Sequence, residues 1–376
     1  MADALCPYFG KCGGCSSQHI EYATQLENKR SVVARNTGVN SESIKVFYDA
    51  PFHYRNRMDF IFHPRGLGLR EKGNWKSVVD VDACVISNDK LNQLLKEVRE
   101  YFKGVDAFDV QRKTGTYRYA VIRTPSNSTS ISFVLNEDSN KTADAIEKIK
   151  SYAKVSSASS ILVTYVPKDK DSSISEEFFV VKGSDMINED YLNKSFEYSV
   201  QGFFQNNTAM AEKMHEYVNE LIKAHGIENT KDLNLLDLYA GVGTFGINNS
   251  ELFKKVFIVE SDKHCIDSAK VNIKKNNLNN AQATLMDAAG LKKLRLENPL
   301  FVITDPPRSG MHPKTIEELR RIKPKHMIYI SCNVEQLGKD IKKFSKYTLK
   351  SVAMFDLFPQ TPHIEAIVEL ELSQNI

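Results

Sequence analysis

Three side chains late in the sequence are of types that make and break carbon bonds when they meet: a thiol and two carboxylates. Cys332 ends the apolar run His326-Met-Ile-Tyr-Ile-Ser, Asp305 ends Leu300-Phe-Val-Ile-Thr, and Glu365 opens a run that reads Ala-Ile-Val-Glu-Leu-Glu-Leu. Taken singly, a free cysteine fills core and an Asp before Pro-Pro marks a strand-terminating turn. Taken together they describe a reaction. An ionised thiol is the strongest side-chain nucleophile, and it can add to C6 of a pyrimidine ring. That addition makes C5 enolate-like, so C5 attacks an electrophilic methyl group and a general base then removes the C5 proton. Asp305 is the candidate for hydrogen-bonding the ring edge, and Glu365 is the candidate base.

A second constellation suits a nucleoside. The segment Asp237-Leu-Tyr-Ala-Gly-Val-Gly-Thr-Phe-Gly-Ile carries Gly241 and Gly243, which permit a tight turn and close backbone approach to a ligand. Glu260 ends the next apolar run, nineteen residues after Gly241, where an acid accepts hydrogen bonds from ribose hydroxyls. Phe245-Gly246 follows Thr244, so the turn is not G-x-G-x-x-G and offers a pyrophosphate no seat. A nucleoside without phosphates fits better. Asp287, after the third run, is placed to accept from an adenine amino group.

The six cysteines form a third pattern. Cys6, Cys12 and Cys15 crowd into Cys-Pro-Tyr-Phe-Gly-Lys-Cys-Gly-Gly-Cys, and Cys84 lies in Val-Val-Asp-Val-Asp-Ala-Cys. Thiolates at this spacing with a distant fourth suit zinc or a cubane iron–sulfur cluster, and His19 offers a Cys3His zinc site instead. Cys265 and Cys332 stand apart.

The elements that must position these groups follow from the rhythm of the chain. After a helix over the segment Asn206-Asn-Thr-Ala-Met to Gly226, short apolar runs alternate with helices five times. That rhythm predicts five parallel strands with right-handed crossovers, a Rossmann-like α/β domain. Two last strands, separated only by Leu-Phe-Pro-Gln-Thr-Pro, pair antiparallel. Ligands of such sheets bind at the carboxyl ends of the parallel strands. Asp237, Glu260, Asp287, Asp305 and Cys332 end strands, while Glu365 begins one that runs the other way, so all six should share one rim. Before residue 199 the reading is mixed, with a helix near 18–36 and an α+β region. The expected domains are a cysteine loop at 1–17 completed by Cys84, a central α+β region at 18–198, and the α/β domain at 199–376.

The totals set bounds. The chain has 376 residues, 41% hydrophobic and 26% charged, with net charge +3, an ordinary globular composition that does not by itself announce nucleic acid. Between Lys314 and Lys350, however, ten Lys or Arg face four Asp or Glu. No apolar run reaches membrane-spanning length, and the N-terminus lacks a basic-then-apolar leader pattern. The expectation is a cytoplasmic monomer with no membrane partner.

These motifs resemble the class I S-adenosylmethionine-dependent RNA uridine-5 methyltransferases, which make 5-methyluridine in tRNA and ribosomal RNA. The resemblance spans most of the chain. Gly202-Phe-Phe-Gln-Asn-Asn-Thr-Ala-Met is similar to the segment before the cofactor fold and implies that Gln205 contacts bound ligand. Asp237-Leu-Tyr-Ala-Gly-Val-Gly-Thr-Phe matches the cofactor loop, nominating Tyr239, Gly241, Gly243 and Thr244, with Glu260, Asp287 and Asp305 at further S-adenosyl-L-methionine positions. Asp305-Pro-Pro-Arg-Ser-Gly and Ser331-Cys-Asn match catalytic motifs and make Cys332 the nucleophile. Phe358-Pro-Gln-Thr-Pro-His-Ile-Glu makes Glu365 the base. One branch of the family holds a [4Fe-4S] cluster with four cysteines like Cys6, Cys12, Cys15 and Cys84, zinc being the alternative. Many members begin with a small β-barrel RNA-binding domain, for which a first cluster cysteine at residue 6 leaves no room. RNA, whether tRNA or ribosomal RNA, is then expected on the central region and the basic 314–350 stretch. Arg55, Arg57 and Arg308 are candidate phosphate contacts, and Phe203 or Phe204 is the candidate to stack on a flipped uridine. The rival readings are a cytosine-5 RNA methyltransferase and a non-catalytic RNA-binding protein with a structural metal. The first usually carries a further cysteine just after the Asp-Pro pair, where this chain has Arg308-Ser309.

Overall fold

Apolar runs without polar interruption suit strands covered on both faces, and the chain has many. The computed structural model describes residues 2–294, 296 and 299–373. Its strands in chain order begin with β1 (Lys45–Phe47), β2 (Arg57–His63), β3 (Gly66–Glu71), β4 (Asn74–Asp80), β5 (Tyr117–Arg123) and β6 (Ser130–Asn136). Next come β7 (Ser160–Val166), β8 (Phe178–Lys182), β9 (Met186–Tyr191), β10 (Lys194–Ser199) and β11 (Asn234–Leu238). The rest are β12 (Lys255–Glu260), β13 (Ala281–Leu285), β14 (Leu300–Thr304), β15 (His326–Ser331), β16 (Tyr347–Phe355) and β17 (Glu365–Leu372). Two compact units share the chain: residues up to Tyr22 with Ala50–Glu189 and Ser199–Thr208, and Ala23–Asp49 with Asp190–Tyr198 and everything from Ala209 on. The sequence reading drew boundaries at 17/18 and 198/199.

The first unit is built on a seven-stranded sheet, ordered β4-β3-β2-β5-β6-β7-β8. Only β6 and β7 pair parallel, and the helix Thr142–Ala153 connects them. One face is covered by that helix and by Asp89–Tyr101, whose Leu94, Leu95 and Val98 pack with Phe60, Phe62 and Phe133 of the strands. Asn88 starts the second helix by accepting a hydrogen bond from the Leu91 N–H at 2.9 Å. β3 and β4 were not foreseen. Gly-Leu-Gly-Leu-Arg-Glu is short and carries glycine at two of its six positions, and Asn-Trp-Lys-Ser-Val-Val-Asp lacks apolar alternation because it is the open edge of the sheet, where its first three residues are exposed. The hairpin β9–β10 was hidden for another reason. Its turn uses Leu192 at φ 51° and Asn193 at φ 64°, so no glycine announced the paired left-handed residues of a tight hairpin.

The second unit has an eight-stranded sheet, ordered β1-β16-β17-β15-β14-β11-β12-β13. From β15 to β13 five strands run parallel, and β17 runs against both β15 and β16. β11, β14 and β15 are buried along their full length, which is why they read as continuous apolar runs. The expected five strands and hairpin are present, with one addition: three-residue β1 pairs parallel with β16 at the sheet edge. No helix among the described residues is long and apolar enough to cross a membrane.

The helix Tyr22–Thr37 shows why its bounds were misread at the N-terminal end. Its covered face mixes Leu26 and Val33 with Gln25 and Lys29, so an apolar period alone does not locate it. Lys29 Nζ meets Asp356 Oδ1 at 2.6 Å, with side chains 6% and 0% exposed, and Gln25 donates to Gln360 at 3.0 Å. A buried pair offsets its desolvation only while both charges are present. Lys29→Met is therefore expected to lower stability by about 3–5 kcal/mol, with Lys29→Met/Asp356→Leu recovering most of the loss in urea melts.

Candidate active site

The loop after β11 turns sharply and is held by backbone donors. Gly241 and Gly243 adopt φ +54° and +87°, and Tyr239 between β11 and the glycines is also left-handed at φ 56°. The Gly241 N–H donates to Glu260 Oε2 at 3.1 Å, while Glu260 Oε1 accepts from the Ser261 and Asp262 N–H groups at 2.6 and 2.9 Å. The acid at the end of β12 is thus aimed at the glycine turn before any ligand arrives. Gly246 N–H donates to Asp237 Oδ2 at 2.7 Å. Buried Asp237 is pushed up to about 8 by burial, with Asp305 and Glu260 adding, so it anchors the loop from beneath. The Tyr239 hydroxyl accepts from the His312 N–H at 3.1 Å, joining the loop to the start of the helix Pro313–Ile322. Asp287 accepts from the Ala289 N–H at 2.8 Å and stays exposed beyond β13.

Asp305 follows β14, and its N–H donates to Leu238 O at 3.2 Å. It stands beside the point where strand order reverses between β11 and β14, the place open α/β sheets reserve for ligands. Across β15 and β17 the register ends with Ser331 paired to Ala366, so the next residues, Cys332 leaving β15 and Glu365 starting β17, lie at the same end of the ladder. Glu365 is 5% exposed, and burial, with Asp305's charge, raises its pKa well above the carboxylate range while Arg308 opposes. Burial likewise raises Asp305 to about 7. Cys332 is half-buried; burial pushes its thiol up, Glu365 and Asp305 add, and Arg308 draws it down by charge and a hydrogen bond. Thiol, two carboxylates and a guanidinium therefore act on one another at one rim.

Arg308 was read from sequence as a phosphate contact, and its place at the thiol was missed. Its Nη2 also lies 3.4 Å from His363 Nδ1, and its carbonyl accepts from Asn333 Nδ2 at 2.9 Å. Asn333 in turn caps the helix Val334–Ile341 by accepting from Gln336 N–H at 3.2 Å. An Asn after a strand and before a helical pattern is a readable cap signal, and it pins the turn that carries Cys332. The other candidates divide. Arg57 forks onto Asp59 at 3.0 and 3.1 Å, which occupies the guanidinium proposed for phosphate. Phe203 is 67% exposed and Phe204 5%, so Phe203 has the free ring. Gln205 lies in the first unit, where its carbonyl accepts from Asn56 Nδ2 at 3.3 Å.

The first unit also gathers the cysteines. Burial raises the thiols of Cys6, Cys12 and Cys15, the last to about 11, and in each case the charge of Cys84 adds to it. Asn92 fixes Cys84 by accepting from its N–H at 2.8 Å and donating to its carbonyl at 3.0 Å. Three thiols whose ionisation is opposed by burial and by their cysteine neighbours suit a metal group that relieves the opposition. His19 instead packs its ring 5.5 Å from Phe9.

Strand order, glycine turn and the acid ending the second parallel strand together define a class I S-adenosylmethionine-dependent methyltransferase. Residues 21–373 match the family model described as tRNA (Uracil-5-)-methyltransferase, and the chain belongs to that family. It is an RNA uracil-C5 methyltransferase. The tRNA (uracil(54)-C(5))-methyltransferase of Pyrococcus horikoshii is 31% identical over 98% of this chain and 85% of its own. An uncharacterized RNA methyltransferase of Caldanaerobacter subterraneus subsp. tengcongensis is 33% identical over 99% of this chain and 85% of its own. The crystal structure of the Pyrococcus abyssi tRNA (uracil-54, C5)-methyltransferase in complex with S-adenosyl-L-homocysteine aligns with TM-score 0.80 at 28% identity, covering 96% of this chain and 86% of that one.

The two glycines of the turn should respond unequally to a methyl group. A Cβ on Gly243 lies 3.1 Å from Ile258 and 3.2 Å from Ile247, whereas none comes within 4 Å of Gly241. Gly241→Ala bears only the left-handed backbone penalty of about 1–2 kcal/mol. Gly243→Ala bears that penalty and displaces the turn, so calorimetric titration should show S-adenosylmethionine binding at least about tenfold weaker than in Gly241→Ala.

Proposed function

We propose that this enzyme methylates a uridine of tRNA, at the position corresponding to 54 in its Pyrococcus relatives, through a covalent bond between Cys332 and C6. The observation that supports the chemistry is the antiparallel register ending at Ser331–Ala366, which brings the adjoining residues Cys332 and Glu365 to one end of the ladder, where the charge of Glu365 acts on the thiol. The tRNA target is supported by the relatives named for it. Basic side chains of the 314–350 stretch support an RNA contact: Arg320, Arg321, Lys323 and Lys346 line a cavity of about 400 Å³ with Phe344 and Tyr347.

In this reading Arg308 stabilises the Cys332 thiolate, and its sulfur bonds to C6 of the uracil. The electron pair of the C5–C6 double bond shifts toward C4 and its oxygen, with Asp305 hydrogen-bonded to the ring edge. C5 takes the methyl group of S-adenosylmethionine, which leaves as the neutral thioether. Glu365 as carboxylate removes the C5 proton; the double bond re-forms and the thiolate departs. Glu260 would bind the ribose of the methyl donor, with Tyr239, Gly241, Gly243 and Thr244 around it and Asp287 at the adenine.

A 5-fluorouridine RNA, which has no C5 proton to give up, should form a stable adduct with wild type and none with Cys332→Ala. Glu365→Gln should lose about 10² to 10⁴-fold in rate and accumulate the methylated adduct on ordinary RNA. Both Cys332 and Glu365 titrate above their ordinary ranges and act deprotonated, so the single-turnover rate should rise with pH on its acid limb. Arg308→Gln should move that limb to higher pH. Methylation surviving Cys332→Ala removes the nucleophile assignment.

We further infer that Cys6, Cys12, Cys15 and Cys84 hold a [4Fe-4S] cluster, supported by their shared electrostatics and the glycines between them. When bound, the cluster would supply a rigid cross-link between the N-terminal loop and Cys84. Anaerobically purified protein should be brown, with about four iron and four sulfide per chain, and Cys84→Ser should lose the colour. One zinc per chain and no iron would replace this assignment.

A further inference from the structure

Trp75 is the chain's single tryptophan, and it is 56% exposed. Leaving an indole in water forgoes one of the largest burial gains any side chain offers. Local structure holds it out. Along β3 and β4 the pairing runs Gly68–Asp80, Leu69–Val79 and Arg70–Val78, then jumps to Glu71–Asn74. The jump leaves Trp75, Lys76 and Ser77 outside the ladder, on the edge strand of the sheet.

The projecting segment is braced from behind. Arg70 donates to the Trp75 carbonyl at 2.7 Å, to the Tyr119 hydroxyl at 3.0 Å and to Asp171 at 3.1 Å, so its guanidinium is a positioning group. The hairpin is also stitched to the cysteine loop. Cys12 bridges to Glu71, Gly13 N–H donates to Arg70 O at 2.9 Å, and Lys72 N–H donates to Lys11 O at 2.7 Å. The loop that carries three of the cysteines is therefore tied by a single β-bridge to the turn end of the hairpin, adding rigidity to it.

Charge selects the partner. Lys76 Nζ and the Arg70 guanidinium each lie 5.7 Å from the indole centroid, and Lys11 and Lys72 are exposed where loop and hairpin join. Asp171 pairs with Arg70, and Glu71 accepts from the neutral Asn74 amide at 3.5 Å, so the local balance is Lys11, Lys72 and Lys76 against Glu71. Cation–π contacts stabilise the hairpin, but they do not require that the ring be extruded from the ladder. An exposed indole beside an excess of lysine charge is a stacking platform for a nucleobase, since every base has a π face and its backbone is anionic.

We propose that Trp75, with Lys76, Lys72 and Lys11 around it, stacks on an unpaired nucleobase of the RNA substrate. This rests on the RNA reading above. The ring's isolation makes it its own reporter. Titrating cluster-loaded protein with an unmodified tRNA transcript should quench tryptophan emission saturably, with a midpoint near the KM for methylation of the same transcript. Trp75→Ala should raise that KM about 5- to 100-fold, the worth of one base–aromatic stack, with the loss in KM rather than kcat. Trp75→Phe should recover most of it, and Lys76→Gln should make the salt dependence of binding shallower. Unchanged emission while the transcript is methylated overturns the proposal and leaves the RNA reading intact, handing the ring to hairpin stability or a protein partner. So does a KM within about twofold of wild type in both Trp75→Ala and Lys76→Glu. A wild type that neither binds nor methylates the transcript overturns both readings.

Discussion

The direction of β17 decides what the rim can do. A strand of six residues spans roughly 20 Å, so a carboxylate at the wrong end of a parallel β17 would sit that far from the thiol. Because β17 runs against β15 and β16, its first residue meets the edge where β11, β12, β14 and β15 finish. The short connection from Phe355 to Glu365 leaves no room for a helical crossover, and that brevity imposes the reversal. Chain geometry, more than any single side chain, brings Cys332 and Glu365 together.

The same rim concentrates acids. Asp237, Asp305 and Glu365 are all held above the ordinary carboxylate range by burial, and the charge of Asp305 raises the other two further. Such a cluster destabilises the empty protein if fully ionised. It favours a cationic ligand, because a positive centre nearby restores the charged forms. The methyl donor carries a sulfonium, so the energetic strain of the empty rim and the charge of the ligand have opposite signs. Arg308 tempers the cluster from the outer side, and Asn333 ties its backbone to the turn of the nucleophile.

Legibility followed burial. Strands covered on both faces, such as Leu300–Thr304 and His326–Ser331, announced themselves as unbroken apolar runs, and with them came the order of the rim. Strands at or next to edges did not: β1, β3 and β4 are short, glycine-rich or partly in water. Lys29 and Gln25 were invisible because their polarity predicts exposure, while a partner more than three hundred residues away covers them. Arg308 was given a generic role because its sequence neighbours, Pro-Pro and Ser-Gly, say turn and nothing about a thiol that follows twenty-four residues later. Local pattern reports local periodicity; groups that meet only through topology have to wait for the fold.

One consequence of the split chain concerns its birth on the ribosome. Residues 23–49 belong to the second unit, yet they are made long before β16 and Asp356, with which they pair. The entire first unit can finish folding while the early helix and β1 still lack their neighbours. Contacts of such high sequence separation form late and slowly. The methyltransferase half therefore closes only after β16 and β17 have been made.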